Sequence, residues 1–209
     1  MKLGIIGAGN IGATLAGLFA QAGHEVALSN SRGPETLQNL VSDLNKSAEG
    51  EVQAMTTEDA AAFGNVVIEA IPFGRYRDLP KEELAGKTLI SASNYYPGRD
   101  GEMDFNGHTQ TGLVASYLSD TTVVKAFNTI YWEHLRDQGD TSEPVNERRV
   151  VFLAGDDEAA KQEVADLIKE VGFGPFDTGS LSGSGVQEPG ADIYNSDMTV
   201  AEAGERLAS

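Results

Sequence analysis

The chain has 209 residues, of which 40% are hydrophobic, enough to bury one sizeable core, so a single α/β domain over 1–209 is expected. Fifteen basic against 32 acidic residues give a formal net charge of −17, which disfavours attraction to nucleic acid or anionic lipid. Cysteine is absent, which excludes disulfides, thiolate metal sites and cysteine nucleophiles; with nothing pointing to an oxidising compartment, the cytoplasm is the expected location.

Residues 3–6 form a short apolar run, and after Gly7 and Gly9 the residues Ile11, Leu15, Leu18, Phe19 and Ala22 recur at helical spacing until Gly23. Lys2 and the apolar stretch ending in Ala20-Gln21-Ala22 imitate a signal peptide, but Gly7, Gly9 and Asn10 interrupt it where a nucleotide-binding turn needs them. No stretch reaches the roughly 18 apolar residues of a membrane span. Residues 25–29 read as the second strand. Pro34 then opens a helix bearing Leu37, Leu40, Val41 and Leu44. Residues 52–55 make a weak strand, and Thr56 with Asp59 resembles a capping box before a helix that Gly64 ends. Residues 66–71 are apolar apart from Glu69, as in a parallel strand covered on both faces.

Further strands are expected at 88–92, 122–127 and 149–154, with helices near 109–118, 131–138 and 157–171. The glycine- and serine-rich stretch 179–190 reads as a flexible loop, and Thr199 with Glu202 as the capping box of a final short helix. The alternation predicts a doubly wound, mostly parallel sheet of the Rossmann type, with a dinucleotide-binding core over 1–130 and a βα extension over 131–209.

Gly7-Ala8-Gly9-Asn10-Ile11-Gly12 matches G-x-G-x-x-G between a strand and a helix. In that setting Gly7 permits the tight turn, Gly9 lets the backbone approach a pyrophosphate, and Gly12 lets the helix pack on the strand. Where NAD-binding chains place an acidic residue for the ribose hydroxyls, this one has Asn30, followed by Ser31 and Arg32. No carboxylate repels a 2′-phosphate there and a guanidinium is at hand to bind it, so NADP is favoured over NAD. The competing reading of Arg32 is a solvated loop charge before the Gly33-Pro34 turn.

Residues 2–12, Gly23-His24-Glu25-Val26, the run from Ser29 to Glu35, Ala70-Ile71-Pro72-Phe73, Ser93-Asn94 and Lys125-Ala126-Phe127-Asn128-Thr129 together resemble the coenzyme F420-dependent NADP oxidoreductases. The likeness is strong over 1–130 and loose beyond. It implies that Ser31 and Arg32 hold the 2′-phosphate, that Ile71, Pro72 and Phe73 border the path from adenosine to nicotinamide, and that Asn94 and Asn128 lie near the nicotinamide. Phe73 reads equally as a core aromatic and Asn128 as a turn residue.

Acid–base machinery is sparse. His24 reads as a helix cap, His108 and His134 as surface residues, and the three show no metal spacing. Ser180, Ser182 and Ser184 lack a nucleophile elbow. Lys125, Tyr95 and Tyr96 are the proton donors nearest the strand ends, and no catalytic residue is assigned. The expected reaction is hydride exchange between NADP(H) and F420 or a flavin-like acceptor, a small-molecule partner; a homodimer is the candidate assembly. The alternatives are a non-catalytic NADP(H) sensor and a small carbonyl or imine reductase; the larger enzymes of the latter type add a helical domain for which this chain is too short. F420 is polyanionic, and Arg75, Arg77, Lys81 and Arg99 could give an acidic protein a positive mouth, or be ordinary solvated charges.

Overall fold

The computed structural model describes residues 1–208. The strands are β1 (Lys2–Ile6), β2 (Glu25–Ser29), β3 (Glu51–Ala54), β4 (Val66–Glu69), β5 (Thr88–Ser91), β6 (Thr122–Ala126), β7 (Val150–Gly155) and β8 (Gly174–Asp177). The helices are α1 (Asn10–Gln21), α2 (Gln38–Leu44), α3 (Thr57–Phe63), α4 (Lys81–Leu84), α5 (Pro97–Asp100), α6 (Gln110–Tyr117), α7 (Trp132–Asp137), α8 (Glu158–Glu170) and α9 (Val200–Ala208). The strands form one eight-stranded sheet in the order β3-β2-β1-β4-β5-β6-β7-β8. Its order reverses between β1 and β4, the switch point at which such sheets bind ligands.

All neighbours pair parallel except β6 and β7, where Val124 faces Gly155 and Ala126 faces Leu153 in antiparallel register. The connection between them leaves and re-enters at the same end of the strands. Its longest helix is α7, whose six residues span about 9 Å. A parallel crossover would have to carry the chain back along a whole strand.

Alternation along the strands feeds two cores. Leu3, Ile5, Val26, Ile68, Ile90 and Val124 pack against Leu15, Phe19, Val164 and Leu167 of α1 and α8. On the opposite face Ile6, Val67, Leu89 and Val123 pack against Phe73, Tyr76, Leu84 and Leu113. No helix among the described residues is long and apolar enough to cross a membrane.

One expected capping box forms in full, Thr199 and Glu202 bonding reciprocally; at the other only half forms, Thr56 accepting from the Asp59 amide as the N-cap of α3. One expectation is corrected. Residues 181–187 are not a loose loop but a 3₁₀ turn (Leu181–Gln187) with Ser184 and Gln187 buried; their small neighbours let the chain lie close on α6, where Thr109 donates to the Leu181 carbonyl. His24 ends α1 as expected, its amide donating to the Phe19 carbonyl at 3.0 Å beside the Gly23 amide on the Ala20 carbonyl, and its side chain has a further role. It is buried, with Nε2 2.7 Å from the Glu170 carboxylate and Nδ1 3.1 Å from the Met1 amino group, tying β2 to α8 and the chain start.

Candidate functional site

The three motif glycines have different reasons. Gly7 has φ +110°, and a Cβ there would come within 2.5 Å of the Ala70 carbonyl oxygen. A Cβ on Gly12 would lie 1.8 Å from the Gly7 oxygen, so that glycine is needed for α1 to sit on β1. A Cβ on Gly9 would meet nothing within 4 Å. Gly9 is the N-cap of α1 and offers no side-chain acceptor, so the first amides of the helix face a cleft with the positive end of the dipole behind them.

That cleft has a volume of about 320 Å³ and runs from Gly7 and Gly9 to Asn30, Ser31 and Arg32, with Ile71, Pro72, Thr57 and Arg75 along its other wall. At the far end Asn30 is committed to the loop: its Oδ1 accepts from the Arg32 amide at 2.9 Å and its Nδ2 donates to Thr36 at 2.9 Å. Asn30 therefore shapes the Ser31-Arg32 corner and has little left for a ligand. Arg32 is exposed, and among the described residues its guanidinium has no hydrogen-bond or ion-pair partner. By contrast Arg75 pairs with Asp78 and Arg99 with Asp100, Arg77 bonds the Tyr76 hydroxyl, and Lys81 lies 3.6 Å over the Tyr117 ring. Two of these four cations are thus neutralised by carboxylates and the other two rest on tyrosines, and Arg32 stands apart as the one with no partner among the described residues.

A second cleft, of about 600 Å³, shares Gly9, Ala70, Ile71 and Pro72 with the first. Asn10 and Ile11 form one side; Ser93, Asn94, Asn128 and the rings of Tyr96, Tyr131, Trp132 and Tyr194 form the rest. Asn94 and Asn128 do meet. Asn94 donates to the Asn128 carbonyl at 2.7 Å, and Asn128 Nδ2 donates to Asn94 and to the Gln187 carbonyl. Asn128 Oδ1 is buried and has no hydrogen-bond partner among the described residues. Phe73 lines neither cleft: its ring stacks on Phe105 and packs against Tyr76 and Tyr95, which corrects its side chain to the core.

Reasoning from residues missed the aromatic wall, because Tyr131, Trp132 and Tyr194 carry no motif. It also left Glu69 and Lys125 without a role. Glu69, Ser91 and Lys125 are consecutive register partners across β4, β5 and β6. Ser91 and Ser93 both donate to Glu69 Oε1, at 2.7 and 2.6 Å, and Oε2 has no partner. Burial pushes the Glu69 carboxyl up to about 7 against the pull of the two hydroxyls, the Ile71 amide and Lys125. Burial likewise pushes the Lys125 amine down to about 8, opposed by Glu188 and Glu69, while its Nζ donates to Thr111 at 3.0 Å.

The residues present fit a dinucleotide: an open backbone face at a helix N-terminus, a free cation at one end of the groove and the Asn94–Asn128 pair at the other. Residues 2–95 match the family model described as NADP oxidoreductase, coenzyme F420-dependent. The chain is 31% identical over 185 residues to metalloreductase STEAP3 of Rattus norvegicus, which covers 87% of this chain and 34% of that protein. The chain thus spans about a third of the length of the curated relatives it matches. Among solved structures, the hypothetical protein SMa0349 from Sinorhizobium meliloti is 32% identical with a TM-score of 0.82, covering 95% of each chain. A candidate F420-dependent NADP-reductase from Arthrobacter sp. FB24 is 26% identical with a TM-score of 0.73, covering 88% of this chain and 87% of that one. The glycine turn, the groove and these likenesses agree: the chain resembles the F420-dependent NADP oxidoreductases, with the match to their family model lying over residues 2–95.

Proposed function

We propose that this chain transfers a hydride between NADP(H) and F420 or a flavin-like acceptor, with NADP(H) along the first cleft and the acceptor's planar ring in the second. One observation carries the reading: the two clefts meet at Gly9, Ala70, Ile71 and Pro72, so a ligand crossing the glycine turn ends among aromatic rings. In this reading the first amides of α1, with Asn10 and Ile11, hold the pyrophosphate, and Ser31 and Arg32 hold the 2′-phosphate. Asn128 Oδ1 accepts from the nicotinamide carboxamide, and Asn94 holds Asn128 in place. Tyr96, Tyr131, Trp132 and Tyr194 give a planar acceptor faces to lie on and exclude water. NADPH supplies the hydride; the chain contributes position and dryness.

Rapid mixing of the NADPH-loaded protein with F420, flavins, quinones and small carbonyls tests this. Fast oxidation is expected with F420 or a flavin and much slower oxidation with carbonyls. Tight NADPH binding with no transfer to any acceptor would make the chain a sensor instead, and a preference for carbonyls would move it to the carbonyl or imine reductases.

A further inference from the structure

Reduction of a deazaflavin, flavin or quinone consumes a proton for every hydride, and the wall of the second cleft contains no carboxylate, histidine or lysine. The Tyr96 and Tyr194 hydroxyls bond each other, and burial of Tyr194, with Tyr96 beside it, pushes its phenol above the ordinary range, away from acid duty. Tyr131 also carries a hydroxyl but is 48% exposed; the buried hydroxyl in the lining is Ser93, which reaches back 2.6 Å to Glu69. We infer that Glu69 is a buried proton store that feeds the acceptor through the Ser93 hydroxyl.

The geometry favours a neutral carboxyl. As a carboxylate, Glu69 would bury a charged Oε2 with no hydrogen bond, an expensive state. Protonated at Oε1, it donates to Ser93 and still accepts from Ser91, and only a carbonyl oxygen is left bare. The charged groups that bear on it are Lys125 from β6, held on Thr111 and facing Glu188, and Arg99 from α5, paired with Asp100. Its pKa near 7 places the proton within reach of neutral-pH turnover.

The step balances. As the acceptor gains the hydride with its electron pair, forming a C–H bond in a deazaflavin or an N–H bond in a flavin, a second ring nitrogen or a carbonyl oxygen becomes basic and takes the proton from Ser93 Oγ. Ser93 takes the Glu69 proton, and Glu69 is left as a carboxylate until water in the cleft reprotonates it by the same route. This rests on the hydride-transfer reading above, and two readouts keep them apart. Infrared difference spectra of the protein without acceptor, titrated between about pH 5 and 9, should show a protonated carboxyl band that disappears around pH 7 and is missing in Glu69→Gln. Single-turnover oxidation of NADPH by the best acceptor should slow as pH rises through about 7. Glu69→Gln and Ser93→Ala should each lose on the order of a hundredfold and lose that pH break. NADPH affinity should stay within about twofold in both variants, and Glu69→Asp should restore part of the rate and a shifted break. An infrared band that titrates near the ordinary carboxylate value, or variants that keep the wild-type break, would overturn the inference. An intact infrared titration in a protein that reduces no acceptor would sink the transfer reading while leaving Glu69 as a neutral buried acid.

Discussion

The two clefts are neighbours built from different materials. The first is mostly backbone: a glycine turn, the start of α1 and one unpaired guanidinium at the far end. The second is mostly side chains, drawn from the segments after β5 and β6, α5, α7 and the stretch before α9, and its one cation, Arg99, is already bonded to Asp100. A backbone site tolerates almost no change where glycines pack and any change where they do not, whereas a side-chain site degrades by degrees. The first cleft should therefore respond to substitution in an all-or-none way and the second gradually.

The sharpest break is within the glycine motif itself. Gly12→Val should unfold the protein or cost several kcal/mol, since its Cβ would collide with the Gly7 carbonyl. Gly9→Val should melt within a few degrees of wild type yet lose NADPH, because its Cβ projects into open space where the pyrophosphate is proposed to lie. Thermal melts with cofactor titrations check both; a Gly9→Val protein that binds NADPH normally would remove the pose.

Next in size is the effect of Glu69 on stability. Its folded pKa is raised from 4.5 to about 7, so the stability it contributes is complete below 4.5 and lost as pH rises through 7, ~3 kcal/mol in all. Lys125 is depressed from 10.5 to about 8, so its cost is full below 8 and relieved as pH rises toward 10.5. Urea midpoints should fall from pH 5 to 7, pass a minimum near 7–8 and recover toward 10. In Glu69→Gln the acid-side fall should vanish; a curve matching wild type would place the titrating group elsewhere.

Arg32→Ala should weaken NADPH by about 10- to 100-fold and NADH hardly at all, since a charge-assisted bond contributes roughly 1.5–3 kcal/mol. Salt should weaken NADPH more than NADH in the wild type. Equal losses for both cofactors would mean that Arg32 supports only the loop. The smallest effect belongs to the aromatic wall: Trp132→Ala should raise the acceptor KM by about 2- to 10-fold and leave NADPH affinity alone, as one ring contact of ~0.5–1.5 kcal/mol implies.

The same division explains what could be read in advance. The turn from β1 into α1 is a run of consecutive residues whose spacing carries its own geometry, and the Ser31-Arg32 corner follows a strand that periodicity marks. Glu69 and Lys125 stood out as charges in apolar strands, but their shared row with Ser91 is a fact of sheet register that local spacing does not contain. Phe73 follows a strand end just as Ile71 does, yet three neighbouring rings draw it into the core. Ser184 and Gln187 looked like loop because glycine and serine usually mark one, and it is contact with α6 that makes that stretch ordered. Tyr194 joins the cleft from a segment nearly 100 residues from its bonding partner Tyr96, a pairing visible only once the sheet is assembled.

The central claim is direct passage of a hydride from the first cleft to a planar ring in the second. NADPH carrying deuterium at the transferred position of the nicotinamide, reacted with F420 and with a flavin, tests it, with the products read by mass spectrometry. The account predicts that the label arrives on the deazaflavin carbon and is not diluted by solvent. Unlabelled reduced deazaflavin, or a labelled cofactor that binds and is never oxidised, would contradict it.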